Sequence, residues 1–179
     1  MVVLKDKIFF LDRDGVINKP IINNKKPYSP IILEEFEVLP DVKSSLKTLR
    51  KNGFFNVIVT NQPNITNKLQ SIEQLDHIHN WILDNLDIDF IKTCIHVDED
   101  NCHCRKPKTG MLDIVSKELG IPLSNSYMIG DRWKDIACGQ EAGCKEVFFI
   151  NYNYHEDKPK QRFINVNSLK EAVQILISK

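Results

Sequence analysis

The stretch Ile8 to Asn18, IFFLDRDGVIN, decides how the chain is read. An apolar run ends in two aspartates one residue apart, and Gly15 comes next. Such a run describes a buried strand delivering charge to the carboxyl edge of a sheet. Residues i and i+2 of a strand share a face, so Asp12 and Asp14 are candidates for one site. Paired carboxylates can hold a divalent cation or divide the work of nucleophile and acid/base. The plainer alternative is a strand followed by a polar turn.

Downstream, the pattern repeats. FFNVIVT (Phe54 to Thr60) is a predicted strand stopped by Asn61-Gln62-Pro63. FIKTCIH (Phe90 to His96) is a third, SYMIGD (Ser126 to Asp131) a fourth and KEVFFI (Lys145 to Ile150) a fifth. Between them lie helical patterns. Pro40 and Asp41 open one that Gly53 ends, and Ser71 with Gln74 forms a capping box for the next. Others span Thr109 to Leu119 and Trp133 to Ala142, and Ser168 with Glu171 caps the last. Lys19 to Glu35 and Asn151 to Asn167 read as loops. Strands alternating with helices imply a doubly wound, mainly parallel α/β sheet with helices on both faces. With the first strand central and the second and fourth beside it, Asp12, Thr60 and Asp131 converge where ligands sit in such sheets.

A phosphate ester there would meet a matching set of groups. Asp12, Asp14 and Asp131 can gather Mg²⁺, and Asp12 can attack phosphorus. Asp14 can move the proton, while Thr60, Arg105 and Lys106 can hold phosphoryl oxygens. Each has a duller reading: Thr60 as a strand end, Arg105 and Lys106 as a solvated turn, Asp131 as a helix cap. Asp135 is read as support for the metal or as a surface charge.

A second signal is Cys94-Ile95-His96 followed by Cys102-His103-Cys104. Three thiols and one imidazole, Cys94, His96, Cys102 and Cys104, suit a closed tetrahedral zinc site. Such a zinc would be structural and would stiffen the loop carrying Arg105 and Lys106. His103 is expected to point outward. Cys138 and Cys144 fit helix packing, and His77 and His79 fit surface or satisfied helix positions.

Composition bounds the rest. The 179 residues suit a single domain with a full core, and 42% are hydrophobic. Twenty-four basic residues balance twenty-four acidic ones, which argues against nucleic acid or membrane partners. No apolar run approaches a membrane span, and MVVLKDKIFFLD leads into the first strand without a cleavage site. The expected location is the cytoplasm, where reduced cysteines suit metal ligation.

DRDGV at Asp12 to Val16, Thr60-Asn61-Gln62, Lys106 in CRKP, and Gly130-Asp131 with Asp135 resemble the four motifs of the haloacid dehalogenase superfamily of phosphatases. The C-x-H…C-x-C loop before RKP resembles the histidinol-phosphatase-like branch. The likeness spans Ile8 to about Ile150. It implies a Rossmann-like sheet without a separate cap domain, with Asp12 as nucleophile and Asp14 as acid/base. Mg²⁺ would be held by the Asp12 side chain, the Asp14 backbone carbonyl and Asp131. Thr60, Asn61, Arg105, Lys106 and Arg132 would contact phosphate or substrate. The partner would be a small phosphorylated molecule and the chain a monomer. Within the branch, a heptose 1,7-bisphosphate is the first substrate expectation and histidinol phosphate the second. Pro63 to Lys68 departs from the loop usual in the heptose enzymes, whose arginine is missing unless Lys68 replaces it. A receiver-type phospho-accepting domain and a zinc-stabilised nucleic-acid module are the readings from other classes. The zinc loop counts against the first, and the neutral charge against the second.

Overall fold

Alternation of apolar residues explains how the central strand is covered. β1 (Lys7–Leu11) has Ile8, Phe9, Phe10 and Leu11 fully buried, as a parallel strand packed on both faces requires. Phe9 and Leu11 join one core cluster with Leu46, Leu49, Ile78 and Val173. Ile8 and Phe10 join the opposite cluster with Leu112, Val115 and Ile136. The two-residue period thus divides one strand between two helical layers. The computed structural model describes residues 4–160 and 162–178, so part of the MVVLKDKIFFLD segment lies outside the described residues.

The remaining parallel strands are β4 (Phe54–Asn61), β5 (Phe90–Cys94), β6 (Ser126–Gly130), β7 (Glu146–Ile150) and β8 (Ile164–Val166), with β2 (Ile21–Asn23) and β3 (Lys26–Tyr28) forming a separate hairpin. The six-stranded sheet has the order β5-β4-β1-β6-β7-β8. The chain winds outward from β1 through β4 and β5, then restarts at β6 on the other side. Order therefore reverses between β1 and β6, which is where an open α/β sheet leaves a crevice.

The helices are α1 (Val42–Lys51), α2 (Ile72–Asn85), α3 (Gly110–Leu119), α4 (Trp133–Glu141) and α5 (Leu169–Ile177). The capping box is present at α2: the Ser71 hydroxyl accepts from the Gln74 N–H, and the Gln74 side chain accepts from the Ser71 N–H. At α5, Ser168 accepts from the Glu171 N–H, while α3 stops at left-handed Gly120.

Two loop expectations are corrected. Lys19 to Glu35 contains the β2–β3 hairpin, turned by Asn24 and Lys25 at positive φ. Asn151 to Asn167 contains β8, which pairs with β7 through Phe148–Ile164, Phe149–Asn165 and Ile150–Val166. Both strands of the hairpin, and β8, are only three residues long, too short for a periodic signal. Strand ends also shift: β5 stops at Cys94, β6 at Gly130, and β4 continues to Asn61. Among the described residues, the chain between β1 and α1 and between β4 and α2 holds the hairpin, a short 3-10 turn (Leu33–Glu35) and loops, with no separate cap domain. No helix of the described residues is long and apolar enough to cross a membrane.

Candidate active site

Asp12 lies directly after β1, and its backbone N–H donates to the Ile129 carbonyl of β6 at 3.0 Å. That bond holds the ends of β1 and β6 side by side. Asp131 lies directly after β6, and Asp135 is on the first turn of α4. Oxygens of Asp12, Asp131 and Asp135 all lie within 4.8 Å of one another, and all three residues are buried. Two glycines permit this approach. A Cβ on Gly15 would sit 1.9 Å from Asp131 Oδ2, and one on Gly130 would sit 2.1 Å from Asp135 Cβ. Gly15 also has a φ of +85°.

One cation answers this cluster from within. Lys106 Nζ lies 2.8 Å from Asp12 Oδ1 and 2.6 Å from Asp135 Oδ1, and it donates to the Val59 carbonyl at 2.8 Å. Burial works against its ammonium, yet Asp12 and Asp135 hold its pKa above the ordinary lysine value. Burial, aided by Asp135, pushes Asp12 up to about 7 even with Lys106 opposing. Burial, then Asp12 and Asp135, raises Asp131 well above the ordinary carboxylate value. Full ionisation of the three carboxylates would put two more negative charges here than the one ammonium answers, which is why burial and mutual repulsion raise Asp12 and Asp131. Asp131 Oδ1 is buried and has no hydrogen-bond partner. A charge deficit of two and an orphaned oxygen in an all-oxygen cluster fit a divalent cation such as Mg²⁺.

Asp14 is placed differently from its neighbour. Its carboxylate accepts from Ser29 Oγ at 2.7 Å, Gln62 Nε2 at 2.9 Å and Asn18 Nδ2 at 3.0 Å. Arg13 adds a fork through Nη2 at 3.0 and 3.1 Å and Nε at 3.2 Å. Burial would raise its pKa, but the Arg13 charge and these donors win and lower it. Its side chain is therefore outside the carboxylate cluster, although both groups line the same cleft. Arg13, fully buried, also donates to His79 Nε2 at 3.2 Å, so His79 is a satisfied helix residue.

The cleft encloses about 300 Å³. Asp12, Asp14, Asp131 and Asp135 line it together with Arg105, Lys106, Arg132 and Asn61. Thr60 is buried and outside the lining, with Oγ1 accepting from Gln62 Nε2 at 2.9 Å. Asn61 makes a reciprocal pair with the Lys106 backbone: Oδ1 accepts from its N–H at 3.1 Å, and Nδ2 donates to its carbonyl at 3.2 Å. Asn61 thereby fastens the lysine loop to the end of β4. Lys68, the candidate replacement for the missing arginine, does not line the cleft.

The Cys94, His96, Cys102 and Cys104 donors also lie within 4.8 Å of one another. Cys104 Sγ is 3.5 Å from Cys102 Sγ and 3.4 Å from His96 Nδ1. Cys94 Sγ is 3.7 Å from Cys102 Sγ and 3.5 Å from His96 Nδ1. Zinc–sulfur bonds of about 2.3 Å in a tetrahedron give sulfur–sulfur edges of about 3.8 Å, so the donor set and spacing fit zinc. All five cysteines are free of disulfides. His103 is exposed and outside the cluster. From this loop Arg105 reaches back, Nη1 donating to the His96 carbonyl at 3.0 Å and Nε to Asp98 Oδ1 at 2.7 Å.

Several contacts were not foreseen from sequence: Arg13, Asn18, Ser29 and Gln62 around Asp14, and Tyr154 on Asp131. Tyr154 Oη donates to Asp131 Oδ2 at 2.7 Å. Tyr152 Oη donates to the Gly15 carbonyl at 3.1 Å, and Glu156 pairs with Arg132. The available signal was three polar-tipped residues spaced by two, directly after a strand that ends at the crevice.

Residues 103–171 match a family model described as HAD-hydrolase-like. The chain is 32% identical over 177 residues to a D-glycero-alpha-D-manno-heptose-1,7-bisphosphate 7-phosphatase of Photorhabdus laumondii, covering 92% of this chain and 93% of that one. It is 31% identical over 177 residues to the histidine biosynthesis bifunctional protein HisB of Blochmanniella floridana, covering 94% of this chain and 48% of that protein. A solved D,D-heptose 1,7-bisphosphate phosphatase from B. bronchiseptica, complexed with magnesium and phosphate, superposes with a TM-score of 0.83 at 23% identity, covering 96% and 98% of the two chains.

Proposed function

We propose, from the premise that this chain belongs to the haloacid-dehalogenase-like hydrolase family and is a phosphatase, that it hydrolyses a D-glycero-D-manno-heptose 1,7-bisphosphate. The reaction runs through Asp12. The observation that carries this reading is the Asp12–Lys106–Asp135 cluster at the β1/β6 crevice, in a cleft also lined by Arg105, Arg132 and Lys134.

Asp12 attacks phosphorus, the bond from phosphorus to the sugar oxygen breaks, and Asp14 delivers a proton to that oxygen. Water then attacks the aspartyl-phosphate, Asp14 takes its proton, and inorganic phosphate leaves. Asp12 and Asp131, with the Asp14 backbone carbonyl that the family resemblance implies, would hold Mg²⁺, which would supply charge neutralisation between carboxylate and phosphoryl group. Asp135 supports the cluster by fixing Lys106, and its Oδ2 accepts from the Arg132 N–H at 3.0 Å. The donors around Asp14 favour its carboxylate, the form that acts as base. For the acid step, Ser29 or Gln62 must release it. Arg105 holds phosphoryl or substrate oxygens and Asn61 positions Lys106, while Thr60, expected to touch phosphate, instead braces the Gln62 amide that donates to Asp14. Cys94, His96, Cys102 and Cys104 would hold zinc, which would keep the Arg105–Lys106 loop in place.

The rim favours a second phosphate. Arg105 Nε and Lys134 Nζ both bind Asp98, at 2.7 and 3.1 Å, so two cations share one carboxylate. Both line the cleft, together with Arg132. A bisphosphate brings an anion to this surplus charge, whereas histidinol phosphate would bring an ammonium. Histidinol phosphate is the second reading, favoured by the likeness to the bifunctional histidine-biosynthesis protein. We take the chain to act as a single domain, as a monomer, and in the cytoplasm, where five reduced cysteines are expected to persist.

A panel of heptose 1,7-bisphosphate, histidinol phosphate and simple sugar phosphates, compared by kcat/KM with Mg²⁺, tests the substrate. Preference for the bisphosphate is expected, and preference for histidinol phosphate replaces it. Asp12→Asn should lose phosphate release on every substrate while keeping its fold by circular dichroism.

A further inference from the structure

We infer that Tyr154 is a positioning residue for the metal site: its phenol selects which oxygen of Asp131 is offered to the cation. This rests on the reading of Asp131 as a Mg²⁺ ligand.

The two oxygens of Asp131 have opposite surroundings. Oδ2 accepts from Tyr154 Oη at 2.7 Å in a buried contact. It also lies so close to Gly15 that a Cβ there would be 1.9 Å away. Oδ1 is buried and has no partner. One oxygen is therefore fixed by a donor, and the other is left without a partner on a residue that clusters with Asp12 and Asp135. A carboxylate free to turn about its Cβ–Cγ bond could present either oxygen. The phenol removes that freedom before the cation arrives, and a hydrogen-bonded ligand coordinates with a defined orientation.

The residue is itself held. Tyr154 is 6% exposed, and its ring stacks on Tyr152 with centroids 5.6 Å apart. Tyr152 ties this segment to the Gly15 carbonyl, and Glu156 ties it to Arg132 with Nε at 2.8 Å. Next to Tyr154, the His155 N–H donates to the Lys25 carbonyl at 2.9 Å, joining the segment to the β2–β3 hairpin. The stretch after β7 is thus anchored on both sides of Tyr154, which lets a single hydroxyl act as a fixed donor.

Binding of Mn²⁺, used as the probe for a six-oxygen site, is measured on the full chain by electron paramagnetic resonance of the free ion. Tyr154→Phe removes one oxygen and keeps the stacked ring. It should weaken Mn²⁺ binding by about tenfold or more, the usual cost of losing such a partner. The Mg²⁺ concentration giving half-maximal phosphatase rate should rise by a similar factor. Tyr152→Phe disturbs the same segment without touching Asp131, and it should bind Mn²⁺ as the parent does. Unchanged affinity in Tyr154→Phe overturns the inference, and so does an equal loss in both variants, which would assign the effect to packing. A parent chain that binds no Mn²⁺ overturns the metal reading and this inference with it, an outcome distinct from the other two.

Discussion

Asp12 and Asp14 are two residues apart, yet their surroundings assign them opposite protonation tendencies. Asp12 shares a buried lysine with a second carboxylate and has its pKa pushed up to about 7. Asp14 accepts from an arginine and three further donor side chains, and its pKa is lowered. The pairing DxD was legible in the sequence because strand periodicity and charge are local. The shell of Ser29 and Gln62 was not, because it comes from a hairpin and a strand end distant in sequence. At the rim, Lys134→Met removes one of two cations that share Asp98. It should lower the ratio of kcat/KM for heptose bisphosphate over heptose 7-phosphate by roughly tenfold, the worth of one charge-assisted hydrogen bond. Equal loss on both substrates would count against a second-phosphate contact. His79 offers a stability test away from the chemistry. Burial and the Arg13 charge lower its pKa from 6.5 to about 4. Between those values the unfolded chain binds the extra proton, so stability is full above about pH 6.5 and declines as pH falls towards 4. The loss approaches about 3 kcal/mol at about 1.4 kcal/mol per unit. His79→Gln keeps an acceptor for Arg13 but does not titrate. Urea unfolding at pH 7 and pH 4.5 should show a smaller drop in the variant than in the parent.

At the scale of elements, the cysteine loop after β5 and the segment after β7 brace cleft residues from opposite sides. The loop between β5 and α3 carries Arg105 and Lys106, and four side chains within 4.8 Å gather at its base. Its spacing was readable because Cys-x-His and Cys-x-Cys are short local patterns. The segment 151–160 offers only Tyr152, Tyr154 and Glu156 at a spacing of two, and what they meet depends on where β7 ends relative to β6, which the six-stranded order decides. Cys104→Ser, or removal of metal by a strong chelator, should free the loop. A cost of about 3 kcal/mol would lower the melting midpoint by roughly 6–12 °C for a chain of this size. Turnover should fall as Lys106 loses its place between Asp12 and Asp135. Purified protein is expected to carry about one zinc per chain by metal analysis. A metal-free chain with an unchanged midpoint would rule zinc out as a structural element.

For the whole molecule, the βα pattern was enough to place the crevice. Two apolar faces on each central strand, helices between strands and polar residues at three strand ends leave few ways to wind the sheet. The order β5-β4-β1-β6-β7-β8 puts β1 between β4 and β6, and Asp12 and Asp131 meet there while Thr60 lies within β4 and outside the cleft lining. The pattern does not contain the wall of the cleft. The β2–β3 hairpin is mostly exposed, with short strands and turn residues at positive φ, so it carries little periodic signal. It nevertheless brings Pro27, Tyr28 and Ser29 to the cleft. On this reading the fold assembles a phosphatase that works through a phosphate bond to Asp12. The direct test is a rapid-quench experiment with p-nitrophenyl phosphate, whose leaving group needs no acid, on Asp14→Asn, which lacks the base for hydrolysis. A burst of about one p-nitrophenolate per chain is predicted, with phosphate found by mass spectrometry on the peptide containing Asp12. A linear release without burst, with no phosphate on that peptide, would contradict it.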